Sequence, residues 1–280
     1  MDHHTAILGV TGSGKTELAF DLIRHSVEKG LKVLSIDLTA RFEARLSDLN
    51  PKNLSLSVEN VAELNKKLFD VETGTYGAGA EKKALEGFAK KIREDVQKAI
   101  QEFLTTTDDN NRIGIIALEE ISNSKATLFI TEMYLTCLLN YAKDNIGKAP
   151  KVLIVVDEAH TVMPEPSTMG LGDYDSRGLV GKIAQIALQG RKYGVGLLVI
   201  AQRTATVSKS ILTQCNTVIS FNCFDDTSLN FLSNVYGASY VPIIPNLPQL
   251  HAIVFGKGIR SQRPLIIQIP FDPKKAETPS

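Results

Sequence analysis

The sequence predicts an α/β fold with a mainly parallel sheet that is covered by helices on both faces. Two observations lead to this prediction. Short apolar runs alternate with segments of helical periodicity, and the runs are apolar almost throughout, as is typical of strands buried on both faces. The first run covers residues 5–8, a helical segment follows at 17–27, and a second run at 31–36 completes a βαβ unit.

Six further apolar runs predict the remaining strands. A helix over residues 125–142 lies between the first two of them, and the last two flank Gly256 and Gly258 in the manner of a C-terminal β-hairpin. The six runs are residues 113–118, 152–156, 195–201, 217–221, 250–255 and 264–269.

Helical patterns alone follow the second strand. We therefore expect a core of residues 1–52 and 112–280 with a helical insertion of residues 53–111. A glycine-rich connector at 73–79 divides the insertion, and its second half carries an apolar stripe with charged residues of both signs between its members. The stripe consists of Leu85, Phe88, Ile92, Val96, Ala99 and Phe103.

The composition is that of an ordinary globular protein. Of 280 residues 43% are hydrophobic, which excludes disordered and collagen-like chains, and 31 Lys and Arg residues balance 31 Asp and Glu, so there is no general attraction to nucleic acid or membrane. Neither a membrane helix of roughly 18 apolar residues nor a signal peptide is evident. Cys137, Cys215 and Cys223 lie in apolar runs, which predicts buried free thiols in a reducing cytoplasm.

Residues 9–16, Gly-Val-Thr-Gly-Ser-Gly-Lys-Thr, match the phosphate-binding loop pattern between a predicted strand and a predicted helix. The glycines let consecutive backbone N–H groups turn toward one anion. Lys15 would reach the β- and γ-phosphates of ATP, and the Thr16 hydroxyl would be a ligand of Mg²⁺. The order of the glycines argues against a dinucleotide-binding loop. The predicted nucleotide-binding residues are Gly12, Ser13, Gly14, Lys15, Thr16 and Glu17.

A second motif, residues 151–158, is an apolar strand that ends in two carboxylates. Ligands bind at this end of the strands in open α/β sheets, so Asp157 would join Thr16 in holding Mg²⁺ and Glu158 would orient and deprotonate the attacking water. Residues 157–160 also spell the signature of a large helicase class, but that class pairs it with a second catalytic domain for which the chain has no room.

Gln202 and Arg191 flank another predicted strand, 195–201. The Gln202 amide would sense the γ-phosphate or position water. Arg191 has two interpretations: a cation that pairs with the carboxyl end of the preceding helix, or an arginine finger that enters the nucleotide site of the next subunit. Lys192 is the alternative candidate for the residue that enters the neighbouring nucleotide site.

Four weaker signals have more than one interpretation. Residues 2–4, Asp-His-His, resemble the signature of a phosphoesterase family whose other metal motifs are not evident. His160 is either a structural residue or a contact to nucleotide or a neighbouring subunit. Arg203 and Lys209 either contact DNA phosphates or belong to a solvated loop, and residues 161–178 read as a polar loop at a pore or subunit interface.

Five motifs in this order and spacing resemble the HerA branch of the HerA/FtsK family of P-loop motors, over residues 5 to about 270. The resemblance implies a RecA-like P-loop NTPase core assembled as a homo-hexameric ring that translocates double-stranded DNA with ATP and Mg²⁺. It also implies a partner nuclease or other effector in DNA end processing or antiviral defence. The motifs are the phosphate loop, Asp157–His160, the stretch from Gly190, Ile200–Arg203 and Leu212–Thr217.

Carried over by the resemblance, Lys15 and Thr16 contact phosphate and Mg²⁺, and Asp157 is the Walker B acid. Glu158 is then the catalytic base, and Gln202 is the sensor. Arg191 becomes the expected finger.

The sequence departs from the family pattern at two points, and these limit which family roles can be assigned to its residues. The family shows an Asp-x-x-Gly-Glu-aromatic turn after the second strand, whereas Asp37–Phe42 has Arg41 in place of the acid. Members also carry a β-barrel domain ahead of the ATPase core, and here the phosphate loop starts at residue 9, so we expect the core without that barrel, either as an excised piece or in a member that lacks the domain.

Three rival functions keep the nucleotide site. A secretion-type ATPase would move protein, a nucleotide-gated ring scaffold would activate an effector without moving anything, and a small-molecule kinase would need an acceptor site and a lid, for which no motif is evident. Stimulation of ATP hydrolysis by duplex DNA separates the first of these from a DNA motor.

Overall fold

A computed structural model describes residues 3–74, 78–108, 111–119, 121, 123–168 and 174–271. Nine strands and eight α-helices make up this part of the chain. The strands are β1 (His4–Leu8), β2 (Lys32–Asp37), β3 (Lys52–Asn53), β4 (Ile113–Ala117), β5 (Val152–Val156), β6 (Val195–Ala201), β7 (Cys215–Ser220), β8 (His251–Gly256) and β9 (Leu265–Gln268). The helices are α1 (Lys15–Glu28), α2 (Phe42–Arg45), α3 (Val58–Thr73), α4 (Ala78–Thr105), α5 (Ser124–Asp144), α6 (Tyr174–Gln189), α7 (Lys209–Leu212) and α8 (Asp226–Tyr236).

All nine strands form one sheet in the order β3-β4-β2-β5-β6-β1-β7-β8-β9. In this spatial order, the first seven strands, β1 to β7, are parallel to one another. Strands β8 and β9 continue the sheet as an antiparallel hairpin. The predicted α/β class and the C-terminal hairpin are confirmed. Because parallel strands share their carboxyl edge, the loops after β1, β5 and β6 meet at one place.

Each central strand sends alternate side chains into two separate cores, as its pleat requires. In β6, Leu197 and Val199 enter the larger core, while Leu198 and Ile200 enter the smaller one. Helices α1 and α2 cover the smaller core, and α3 to α8 cover the larger one. This burial on both faces explains why the strand sequences are apolar almost throughout.

Most predicted boundaries agree with the structure to within two residues. The strand β3 was not predicted, because two residues carry no recognisable period. The hairpin loop spans residues 257–264 and is longer than the predicted glycine turn. Helix α6 begins at Tyr174, inside the segment predicted as loop 161–178; residues 169–173 of that segment and 75–77 of the connector lie outside the described residues.

The two helices of the proposed insertion pack on the core. Apolar residues of α3 and α4, among them Leu64 and Ile92, belong to the same hydrophobic cluster as the sheet. Arg93 of α4 donates to Glu132 of α5 at 2.6 Å, and Lys182 of α6 lies 3.6 Å from the same carboxylate, which is 2% exposed. Charge pairing thus joins α4 to the core helices, where the sequence indicated only a mixed-charge surface.

The structure also bears on the predicted state of the cysteines and on membrane-spanning helices. The three cysteines are free and buried, as predicted. Within the described ranges, every helix is too short or too polar to cross a bilayer.

His4 is a buried structural histidine. Its Nε2 lies 2.9 Å from the Ala187 carbonyl oxygen, and the described part of the chain holds no cluster of three or more His, Cys, Asp or Glu residues suited to a metal. These observations argue against the phosphoesterase interpretation of residues 2–4. Burial lowers the pKa of His4 despite the bond to Ala187, and the charge of Arg191 lowers it further.

We expect His4 to make folding pH-dependent. Because the unfolded chain binds the proton more readily, the free energy of unfolding falls as the pH drops below about 6.5, the ordinary histidine value. Urea unfolding at pH 7.5 and 5.5 measures this, and His4→Gln, which keeps an amide donor but does not titrate, should lose less stability over the same interval. Equal losses in both proteins would contradict the prediction.

Candidate nucleotide-binding site

The phosphate loop connects β1 to α1 at the carboxyl edge of the sheet. Gly12 and Gly14 have φ angles of +76° and +114°, in a region that L side chains rarely adopt. At Gly14 a Cβ atom would also lie 2.8 Å from the Leu250 side chain. The loop therefore needs glycine at these positions, and α1 begins at Lys15 with its first backbone N–H groups facing the loop.

Backbone hydrogen bonds fix the loop to the strands beside β1. Gly9 N–H donates to the Ala201 carbonyl at the end of β6 (3.3 Å), and Val10 N–H donates to the Asn222 carbonyl after β7 (3.0 Å). Inside the loop, Ser13 Oγ donates to the Val10 carbonyl at 2.8 Å. The loop is thus held in shape by its neighbours.

A second set of contacts comes from the segment before β8, which sequence reasoning missed. Leu250 N–H donates to the Ser13 carbonyl (2.9 Å), and Gln249 Nε2 donates to the Gly12 carbonyl (3.1 Å). Leu250 has a φ of +61°, an uncommon angle for this residue type. The sequence placed Gln249 just before the predicted strand 250–255 and Leu250 at its first position, and neither position indicates a partner across the sheet.

Lys15 lies inside the loop. Its Nζ donates to the Val10 carbonyl at 2.8 Å, and the residue is 7% exposed. Burial lowers the pKa of Lys15, while the nearby charges of Glu158 and Asp157 raise it. The phosphate loop and the acid pair, far apart in the sequence, therefore lie within electrostatic reach of each other.

The helix start places Thr16 and Glu17 next to this lysine. The Glu17 carboxylate accepts two hydrogen bonds from Arg45: Nη1 donates to Oε1 at 3.1 Å and Nη2 donates to Oε2 at 2.7 Å. The Glu17 side chain thus pairs with Arg45 of α2. Any contact of Glu17 with nucleotide would therefore come from its backbone N–H.

Asp157 follows β5 and is 5% exposed. Burial raises its pKa, with the Glu158 and Asp37 charges adding to the rise, while the Glu158 N–H (2.9 Å) and Lys15 act in the opposite direction. Asp157 is close enough to Lys15, the residue before Thr16, for their charges to interact, and a carboxylate with a hydroxyl is an oxygen donor set of the kind Mg²⁺ prefers. The residues present therefore fit the ion.

Glu158 joins three segments of the chain. Its φ of +48° turns the backbone sharply after β5. Gln202 Nε2 donates to Glu158 Oε1 (2.8 Å), and Thr11 Oγ1 of the phosphate loop donates to Gln202 Oε1 (3.1 Å). His160 Nδ1 lies 3.3 Å from Glu158 Oε2. The structure thus brings together the ends of β5 and β6 and the phosphate loop.

The turn after β2 keeps its shape without the expected acid. The Asp37 carboxylate accepts the Thr39 and Phe42 backbone N–H groups, each at 2.9 Å. Ala40, where the family has glycine, has a φ of +57°, and Arg41 is exposed. Asp37 therefore serves the turn through its carboxylate.

Arg191 lies at the other end of the sheet from the nucleotide site. It belongs to a 3₁₀ turn, Gly190–Tyr193, just before β6, and its Nη1 donates to Asn216 Oδ1 near the start of β7. The seven residues of β6 separate it from Gln202 by roughly 20 Å. Arg191 and the neighbouring exposed Lys192 are thus not part of the site formed by their own chain.

Arg203 lies on the loop that follows Gln202 and Lys209 begins α7 at the end of that loop; both residues are exposed. Backbone bonds from Ser208 to the Met163 carbonyl (2.8 Å) and from Lys209 to the Glu165 carboxylate (2.7 Å) attach this loop to the one that follows Glu158. These hydrogen bonds hold the two loops together at the carboxyl edge of the sheet.

A parallel sheet with a glycine loop before α1, a lysine inside the loop and an acid pair after β5 defines a P-loop NTPase of the RecA-like type. A family model described as "Helicase HerA, central domain" matches residues 1–76. The DNA double-strand break repair helicase HerA of Sulfolobus acidocaldarius is 24% identical over an alignment of 332 positions, 96% of this chain and 65% of the relative. The family model, the curated relatives and the fold together support a HerA-like P-loop ATPase.

Solved structures support the same fold. VirB4 of Thermoanaerobacter pseudethanolicus superposes with a TM-score of 0.61 at 14% identity, over 98% of this chain and 91% of that one. The genome packaging NTPase B204 of Sulfolobus turreted icosahedral virus 2, in complex with ATP-gammaS, gives 0.57 at 13% identity, over 96% and 98%. This chain spans less than two thirds of the length of the curated relatives it matches.

Proposed function

We propose that the chain is a Mg²⁺-dependent ATPase that works in the cytoplasm as a homo-hexameric ring and moves along double-stranded DNA. A partner nuclease or other effector, in DNA end processing or antiviral defence, completes the proposal and is supported by the family resemblance alone. The observation that supports ATP hydrolysis best is the pair of hydrogen bonds that joins Thr11 of the phosphate loop through Gln202 to Glu158.

In this proposal the loop amides and Lys15 bind the phosphates of ATP, and Thr16 and Asp157 hold the metal. Mg²⁺, when bound, would neutralise charge on the phosphates. Glu158 receives the proton of the attacking water, and Gln202, which already contacts Glu158, orients it. Each role falls on a residue at the carboxyl edge of the sheet.

Two observations support the ring and the DNA. Arg191 lies at the far end of the sheet from its own site, so it can act on a nucleotide only in a neighbouring subunit. The exposed Arg203 follows the sensor residue Gln202 directly, and the exposed Lys209 begins α7 a short loop later; both suit contacts to a phosphate backbone that ignore base sequence.

Steady-state ATP hydrolysis with and without linear duplex DNA tests the function. We expect stimulation by the duplex that weakens steeply as salt rises, and Lys15→Ala should lower turnover by about 10²–10³-fold because it removes a positioned cation. The exposed Lys66→Ala on α3 is the matched control and should behave as wild type. Hydrolysis without any effect of DNA would favour a secretion-type ATPase, and unchanged turnover in Lys15→Ala would remove the site assignment.

A further inference from the structure

A tight turn before β8, residues 248–251, contacts the phosphate loop at two consecutive carbonyl groups. Gln249 Nε2 donates to the Gly12 carbonyl at 3.1 Å. Leu250 N–H donates to the Ser13 carbonyl at 2.9 Å. Both donors belong to the central residues of one turn, so the two bonds restrain the loop together.

The turn is held in a conformation that its sequence does not favour. A bond from His251 N–H to the Pro248 carbonyl (3.1 Å) closes it, and Leu250, its third residue, has a φ of +61°. Glycine or asparagine normally occupies this position when φ is positive. Two contacts hold the leucine there: Ile269 N–H donates to its carbonyl at 2.7 Å, and its side chain lies where a Cβ atom at Gly14 would approach to 2.8 Å. Unfavourable backbone angles that are held in this way cluster at functional sites.

The bonds to the two carbonyls orient backbone N–H groups of the loop. A trans peptide unit is planar, so its C=O and the N–H of the next residue point in opposite directions. The bond at Gly12 therefore orients Ser13 N–H, and the bond at Ser13 orients Gly14 N–H. Ser13 N–H accordingly points to the Val10 carbonyl at 3.4 Å, the same oxygen that Lys15 Nζ contacts. The oriented amides thus face the side of the loop on which the lysine lies.

The helix adds a third oriented amide. The Gly14 carbonyl accepts Leu18 N–H at 3.1 Å, which directs Lys15 N–H in the same manner. No carbonyl oxygen of the described residues accepts Gly14 N–H, so this amide is available to an anion. Successive N–H groups turned to one side at a helix start form a phosphate site. Two of its three peptide units are oriented by the turn, from outside the loop.

We infer that Gln249 is a positioning residue for the phosphate groups of the nucleotide. Its side chain is exposed and contributes nothing to a core, and its amide keeps Ser13 N–H turned toward the anion by holding the Gly12 carbonyl. The inference rests on the proposed function and names a residue that sets the phosphate affinity of its site. Because the loop amides would bind phosphate both before and during cleavage, losing this restraint weakens ground state and transition state alike.

The test is Gln249→Met, which keeps the length of the side chain and removes the donor. Its affinities for ADP and for inorganic pyrophosphate, measured by titration calorimetry, should both fall about 3- to 10-fold, the effect of one hydrogen bond on an equilibrium. Pyrophosphate has no base or ribose, so an equal fall for the two ligands locates the effect at the phosphates. In steady-state hydrolysis the KM for ATP should rise by the same factor, while kcat should stay that of wild type.

Gln262→Met is the matched control. Gln262 is exposed in the loop between β8 and β9, at the end of β8 away from the turn, so this variant should bind both ligands as wild type does. Urea unfolding should show wild-type stability for both variants, since both side chains are exposed. Gln249→Ala repeats the test should Gln249→Met not fold.

Unchanged affinities in the Gln249 variants overturn the inference, and so does an equal loss in Gln262→Met. A loss for ADP alone would place Gln249 at the nucleoside, and a lower kcat at constant KM would place it in the chemical step; either result also overturns it. The titrations need no hydrolysis. A wild-type chain that binds both ligands without cleaving ATP therefore refutes the proposed function alone, whereas one that binds neither refutes both.

Discussion

Glu158→Gln is expected to lower the turnover number for ATP hydrolysis by about 10²–10⁴-fold, the usual contribution of a positioned general base. An amide cannot accept the proton of the attacking water. It can still accept the hydrogen bond from Gln202 Nε2 at Oε1, so the geometry at the ends of β5 and β6 should persist. ATP should therefore bind to the variant and remain uncleaved.

Single-turnover hydrolysis and fluorescent-nucleotide titration separate the two effects. The matched control is Glu59→Gln, an exposed acid on α3, the helix that follows the edge strand β3, which should keep wild-type turnover. If Glu158→Gln hydrolyses ATP at the wild-type rate, another group is the base. If it fails to bind nucleotide, Glu158 serves the structure of the site.

Arg191→Ala should reduce turnover by about 10³-fold or more, within the range measured for arginine fingers. The expectation rests on the proposed role of Arg191: it lies before β6, at the end of the sheet away from the phosphate loop, so as an arginine finger it would act on the site of an adjacent subunit. Activity should reappear when the variant is mixed with Lys15→Ala subunits, because some interfaces then pair an intact Arg191 with an intact Lys15.

Three controls accompany the mixing experiment. Asn216→Ala removes the partner of Arg191 within the chain and should keep turnover, which separates a local structural role from one in trans. Lys192→Ala should also remain active; its failure together with an active Arg191→Ala would move the finger to Lys192. Native mass measurement confirms that mixed rings form, and mixed rings without recovered activity would refute action in trans.

Local patterns predicted the elements but not their arrangement. The apolar runs identified eight of the strands, since a strand buried on both faces must be apolar along its length. The sheet order, in which β6 lies between β5 and β1, is set by how the helices pack over both faces. That order places Gln202 between the phosphate loop and the acid pair.

Charged surface residues were the least predictable. The sequence of α4 alternates charges as an exposed helix does, yet Arg93 pairs with the nearly buried Glu132 of α5. Glu17 was expected at the nucleotide, and its carboxylate instead binds Arg45. Long charged side chains can choose among several partners, and the choice depends on which helices become neighbours.

The sequence by itself determined the chemistry of the site: glycines where the backbone must take positive φ, a lysine at the start of α1, and two acids after a buried strand. These requirements are local, so they are readable along the chain. Only the tertiary structure decided that Thr11 bonds to Gln202, 191 residues later, and that Arg191 lies away from its own site. Such contacts depend on strand order and on the direction of each strand, which short stretches of sequence do not encode.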